Sequence, residues 1–313
     1  MKVFEFIILF FLFLLICIGV YFFWFNLNSN NESYAPYVGN LSSIPISSAG
    51  AQFYSNMRFP DKEISYEVES ACNMQKRREI NEAFAILSEK TILRFHLLEN
   101  EAQIKILCSE IPKEKQNEEE KNYFIAGEGG PTAAINLSNG YYLILSGKVS
   151  FFRTEKCNET KLALHEILHV LGFDHSGNQK SIMYPVTSCE QYLDSYIIDE
   201  LNRLYAIPSL PDLAIEKISA NKTSYGLSFS ISVANSGFSE AQNSQLDIYS
   251  EGNKITEYDF GLIKPGMKKM LDVQNAKLPR KTGSLLFVVS SDKKDELSLG
   301  NNKAEVFLEG SNL

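Results

Sequence analysis

The amino-acid sequence predicts an α+β domain followed by an all-β sandwich, both behind an N-terminal transmembrane helix. Three observations support this reading. Residues 6–25, FIILFFLFLLICIGVYFFWF, carry no charge; residues 61–206 mix strand-period and helix-period apolar patterns; and beyond the prolines of IPSLPDL (207–213) only strand patterns follow. The expected organisation is an anchor at 1–25, a stalk at 26–54, a mixed domain at 55–207 and a sandwich at 211–313. A chain of 313 residues is long enough for two cores. Its net charge of -8 excludes nucleic acid as a partner class, because that footprint needs clustered Lys and Arg.

The apolar run has about the 20 residues needed to cross a hydrocarbon layer of roughly 30 Å. Lys2 precedes it and no Lys or Arg follows until Arg58, so the positive-inside rule leaves the N-terminus cytoplasmic and the rest at the cell surface. A cleaved signal peptide is the rival. It would have a shorter apolar core and a small-residue site just after it, whereas NLNSN follows here and SSAGA (47–51) lies far downstream. Residues 26–56 are rich in Asn, Ser, Gly and Pro, with Glu32 their single charge, as in a flexible stalk.

In the mixed domain, Ile64, Tyr66 and Val68 alternate as a half-buried strand does. MQKRREINEAFAILSEKT places Ile80, Ala83, Phe84, Ile86 and Leu87 at helical spacing. ILRFHLLEN and AQIKILC read as strands, and IPKEKQNEEEK (111–121) as a solvated loop. GEGG (127–130) reads as a flexible turn; it lacks the Lys-Ser/Thr and the helix of a phosphate loop. YYLILSG and KVSFF are strand candidates. A helix is expected at 160–171 and another near 190–205, with Ile197, Leu201 and Leu204 on one face. After the linker, Leu227, Phe229, Ile231 and Val233 share a strand face, and turn signals at 235–237, 251–253, 264–266 and 300–302 suggest a sandwich of roughly seven strands.

Outside a membrane, cysteines can pair. Cys17 lies in the apolar run, leaving Cys72, Cys108, Cys157 and Cys189 with three pairings open. Free thiols, or a zinc held by four thiolates, are the alternatives, the latter weakened by the lack of any CxxC pair. Sequons at Asn31, Asn40, Asn136, Asn158 and Asn221 fit an exported chain.

HEILHVLGFDHS (165–176) holds three of the four histidines. On a helix, His165 and His169 stand one turn apart, about 5.4 Å along the axis, on one face. Gly172 supplies the left-handed residue that ends the helix, and His175 can return as a third ligand. Three ligands leave a fourth position open, the arrangement of a catalytic zinc. Such an ion lowers the pKa of water toward about 7, and Glu166 is placed to act as general base in peptide hydrolysis. His96, on the polar face of a strand, reads as structural.

This string resembles the metzincin clan of zinc peptidases, and Ser176 with SIMYP (181–185) resembles the matrixins among them. The resemblance spans about residues 55–206. It implies one catalytic zinc, Met183 as the Met-turn floor beneath it, and Tyr184 and Pro185 in the S1′ wall. Pro185 stands where astacins carry a metal-switching tyrosine, so no such switch is expected. The implied fold is a twisted, mostly parallel sheet with a zinc helix, a C-terminal helix and an antiparallel substrate-binding edge strand, placed within 133–146. With that layout, the expected disulfides are Cys72–Cys108 and Cys157–Cys189. Departures also follow. With only His96 left over, the family's second, structural zinc site cannot be built. No segment between Phe25 and Met57 carries an inhibitory cysteine, and calcium has no recognisable loop.

The C-terminal part resembles the CARDB family of immunoglobulin-like surface modules in PDLAIEKIS, VANSG and DELSLGNNKAEV. That sandwich could present substrates, bind a surface ligand or only space the enzyme. The expected activity is zinc-dependent hydrolysis of peptide or protein substrates outside the cell. The alternative is a silent adhesion or binding protein that uses the sandwich; the presence of Glu166 speaks against it.

Overall fold

A computed structural model describes residues 52–109, 126–152, 160–223, 226–277, 282–292 and 295–308. The anchor expected at 1–25, most of the stalk, the charge run at 111–121 and Cys157 lie outside them. Among the described residues no helix is long and apolar enough to cross a membrane. All of them belong to one compact unit, Tyr37–Leu313.

The first half comprises β1 (Met57–Arg58), β2 (Glu63–Val68), α1 (Met74–Lys90), β3 (Arg94–Leu97), β4 (Ile104–Cys108), β5 (Gly127–Asn136), β6 (Tyr142–Phe151), α2 (Thr160–Val170) and α3 (Ser195–Tyr205). β3, β2, β4 and β6 pair in parallel in that order, and β5 closes the edge antiparallel to β6. Asn73 caps α1 by accepting from the Lys76 N–H, and the Thr91 hydroxyl returns to Leu87 O at its end. The stripe of Ile80, Ala83, Phe84 and Leu87 shares one core with Ile64, Ile104, Ile106 and Val149 of the sheet. All of α2 except Lys161 is buried, including the polar side chains of Thr160, His165, Glu166 and His169.

Two expectations need correction here. The antiparallel edge strand is Gly127–Asn136, not a stretch within 133–146, most of which belongs to the following turn and to β6. GEGG is accordingly strand, not turn. Its glycines hide the strand period because they carry no side chain, yet the packing requires them. A Cβ on Gly129 would lie 2.1 Å from the Glu166 carbonyl oxygen, and one on Gly127 2.8 Å from the Glu166 carboxylate. Helix α2 passes so close to the edge strand that only glycine fits between them.

The disulfide Cys72–Cys108 joins the chain after β2 to the end of β4. A loop of this size contributes about 4 kcal/mol in the chain-entropy account. Cys189 is also disulfide-bonded.

The second half is β7 (Leu213–Thr223), β8 (Gly226–Asn235), β9 (Ala241–Ser250), β10 (Asn253–Ile263), β11 (Lys268–Ala276), β12 (Ser284–Ser290) and β13 (Lys303–Phe307). They form a sheet β11-β8-β7 and a sheet β10-β9-β12-β13. Leu227, Phe229, Ile231 and Val233 face a shared core with Leu246, Ile248, Leu285 and Phe287. The two halves meet at Leu137, Leu143 and Phe238. Beside them Arg58, 1% exposed, lies between the rings of Tyr205 and Phe238, at 4.8 and 4.3 Å. Its guanidinium donates to the carbonyls of Leu204, Ile207 and Pro60, which ties the end of α3 to β1. Burial lowers its pKa, and these carbonyls and rings stand in for the water it has lost.

Candidate metal centre

The site grows out of the C-terminal end of α2. Gly172 has φ +96°, its N–H donates to His169 O at 3.0 Å, and the Phe173 N–H donates to Leu168 O at 3.1 Å. That pair of bonds is a Schellman cap, and it turns the chain back beneath the helix. The turn is also sterically closed, since a Cβ at Gly172 would lie 2.8 Å from Met57 Cβ. Residues read as the end of the stalk pack here. Phe53 donates from its N–H to Gly172 O and stacks on the His169 ring at 5.8 Å.

The tautomers of the helix histidines follow from their partners. His165 Nδ1 lies 2.6 Å from Ile182 O, and His169 Nδ1 lies 2.7 Å from Phe173 O. A carbonyl carries no proton, so each Nδ1 must donate, and each Nε2 keeps its lone pair. Those lone pairs converge: His169 Nε2 is 3.0 Å from His165 Nε2 and 3.2 Å from His175 Nε2. Three nitrogens on one tetrahedral zinc, each about 2.0–2.1 Å from it, would stand roughly 3.3 Å apart. Burial pushes His165 down to about 4, His169 well below its ordinary value and His175 in the same direction. All three rings are therefore neutral at pH 7, the form that binds a metal. The donor set fits zinc.

Glu166 is buried next to this cluster, with its carboxylate against Gly127 of the edge strand. The matrixin family model matches residues 58–205, a little under half of the chain. Residues 58–205 are matrixin-like. No curated protein matches the chain. Among solved structures it is similar to a CARDB domain from Pyrococcus furiosus, solved with di-metal ions, at 20% identity and TM-score 0.27 over 32% of this chain and 89% of that one. It is similar also to a cell-surface protein domain from Methanosarcina acetivorans, at 15% identity and TM-score 0.27 over 32% of this chain and 92% of that one.

In the matrixin-like domain the segment 181–185, expected from the resemblance to be the Met-turn, supports the histidine cluster directly. Ile182 holds the His165 ring, and Met183 O accepts from the Ser176 N–H at 2.8 Å. Met183 itself is fully buried. Its N–H donates to Ser181 Oγ at 3.0 Å, and that hydroxyl donates to Asp194 Oδ2 at 2.6 Å, just before α3. Beyond it Tyr184 is half-buried and Pro185 exposed. Buried Gln191 closes the following loop through Ser188 N–H and Val186 O. Lys161 of α2 donates to the carbonyls of Cys189 and Gln191. Sequence reasoning found the three histidines, Glu166, Gly172 and Met183. It missed Phe53, Ser181 and Asp194, whose partners lie more than ten residues away, and Gln191, which closes a local loop that no apolar period marks; the cluster of glycines at 127–130 was the one misread signal. His96 is exposed on β3.

Proposed function

We propose that the chain is a zinc endopeptidase that hydrolyses peptide bonds outside the cell. The convergence of three Nε2 lone pairs beside a buried glutamate carries this reading. His165, His169 and His175 would hold one zinc ion, which when bound supplies a Lewis acid and lowers the pKa of water toward about 7. The Glu166 carboxylate takes the proton of the attacking water and returns it to the departing amine nitrogen. The edge of β5, which among the described residues pairs with β6 alone, would offer backbone donors and acceptors to an extended substrate. Met183 forms an apolar floor, and Tyr184 with Pro185 contributes the wall beside the leaving-group side. Attachment through residues 1–25, with the catalytic domain outward, belongs to the same proposal and rests on the apolar run and the charge bias around it.

The test compares wild type with Glu166→Ala on an unfolded protein substrate such as reduced casein, with zinc content measured in both. The expected result is a loss of at least about 1,000-fold in kcat/KM at equal zinc occupancy. Equal activity in the two proteins would remove Glu166 from the chemistry.

A further inference from the structure

Two features of β5 point in opposite directions along its length. At its start the strand touches Glu166 through Gly127 and Gly129. At its end Asn136, Leu137 and Ser138 form one wall of a cleft of about 220 Å³, whose other wall is Ala234, Asn235, Gly266 and Lys268 of the sandwich. Among the described residues β5 pairs with β6 alone.

The sandwich is held firmly at that end. The Ser138 and Ser236 hydroxyls are hydrogen-bonded, and Asn139 Nδ2 donates to Ser236 O at 2.7 Å. Tyr141 meets Phe238 edge-on at 5.1 Å, and Phe238 in turn lies against Arg58. The cleft is therefore held in place at the end of β5. Its lining includes the polar residues Asn136, Ser138, Asn235 and Lys268, whose ammonium pairs with Glu216 at 2.8 Å. These groups suit the backbone and polar side chains of an extended polypeptide.

Direction and distance then follow. A chain adding to an edge strand pairs more stably antiparallel, which sends the N-terminal side of a substrate toward Asn136. From Gly129 to Asn136 an extended chain covers about 23 Å, or roughly seven residues. We infer that the cleft between the β5–β6 turn and the sandwich is a distal subsite for substrate residues about seven to nine positions before the cleaved bond. The preferred substrates are then long unfolded segments, and the sandwich is part of the substrate groove.

The inference rests on the peptidase reading for where the cleaved bond lies, so the probe should fix that point without turnover. Labelled peptides of Ala, Ser and Leu ending in a C-terminal hydroxamate, with three to twelve residues before it, anchor at a zinc ion and extend along the side that leads to the cleft. Their Kd is read by fluorescence anisotropy on the zinc-loaded full chain. Affinity should rise by about tenfold once the peptide passes roughly seven residues. Lys268→Trp and Asn136→Trp, which fill the cleft from opposite walls, should each abolish most of that gain. Affinity independent of length, or a gain untouched in both variants, would overturn the subsite. Failure of every probe to bind would overturn the metal centre and the subsite together. Length-dependent binding by a chain that cleaves no unfolded protein would sink the peptidase reading and leave the subsite standing.

Discussion

At the scale of single residues the site depends on neutral imidazoles. His165 has a pKa of about 4, against 6.5 when unfolded, chiefly because burial penalises its charged form. The unfolded chain therefore binds a proton more readily, and His169 and His175 shift the same way. The stability these groups contribute is present above pH 6.5 and is lost as the pH falls toward 4. For the metal-free protein, urea midpoints should decline steadily from pH 7 to pH 5, and a midpoint constant over that range would contradict the burial of these rings. The residues of this centre were legible because His165, Glu166, His169, Gly172 and His175 lie in one short string that obeys helical spacing. Ser181 and Asp194 were not. Their hydrogen bond links the Met-turn to the start of α3, a contact made by folding that no local pattern encodes.

At the scale of elements, helices were easier to read than the strand that matters most. α1 and α3 announce themselves through apolar stripes, and α2 through its histidine spacing and the glycine that ends it. β5 does not, because its first half is glycine-rich and no side chains alternate there. The same absence is what lets α2 approach it. This makes a sharp comparison between neighbours. Gly129→Ala places a methyl 2.1 Å from the Glu166 carbonyl oxygen, whereas a Cβ at Gly130 meets nothing within 4 Å. The first should cost about 1–3 kcal/mol, as overpacking does, and the second within about 0.5 kcal/mol. Thermal unfolding of both variants settles it; equal losses would mean that the helix does not press on the strand.

At the scale of the whole molecule, the sandwich is built into the matrixin-like domain through Phe238. Arg58 and Tyr141 lie against its ring, with Leu137 and Leu143 in the same small cluster. Its strands, seven among the described residues, were legible as roughly seven from alternation and turn spacing, but this interface was not. Phe238 stands in a loop beside VANSG, and nothing in a strand pattern says which loop meets another domain. Phe238→Ala should cost about 3 kcal/mol. The loss should be visible as earlier thermal release of zinc from the neighbouring domain. Release at an unchanged temperature would mean that the two halves are independent.

The claim beneath all of this is that three imidazole nitrogens hold a single ion. X-ray absorption at the zinc edge of the metal-loaded full chain measures it directly. One zinc per chain, with three imidazole nitrogens at about 2.0–2.1 Å and one further oxygen, is the result expected. Sulfur neighbours at about 2.3 Å, or a chain that takes up no zinc, would contradict it.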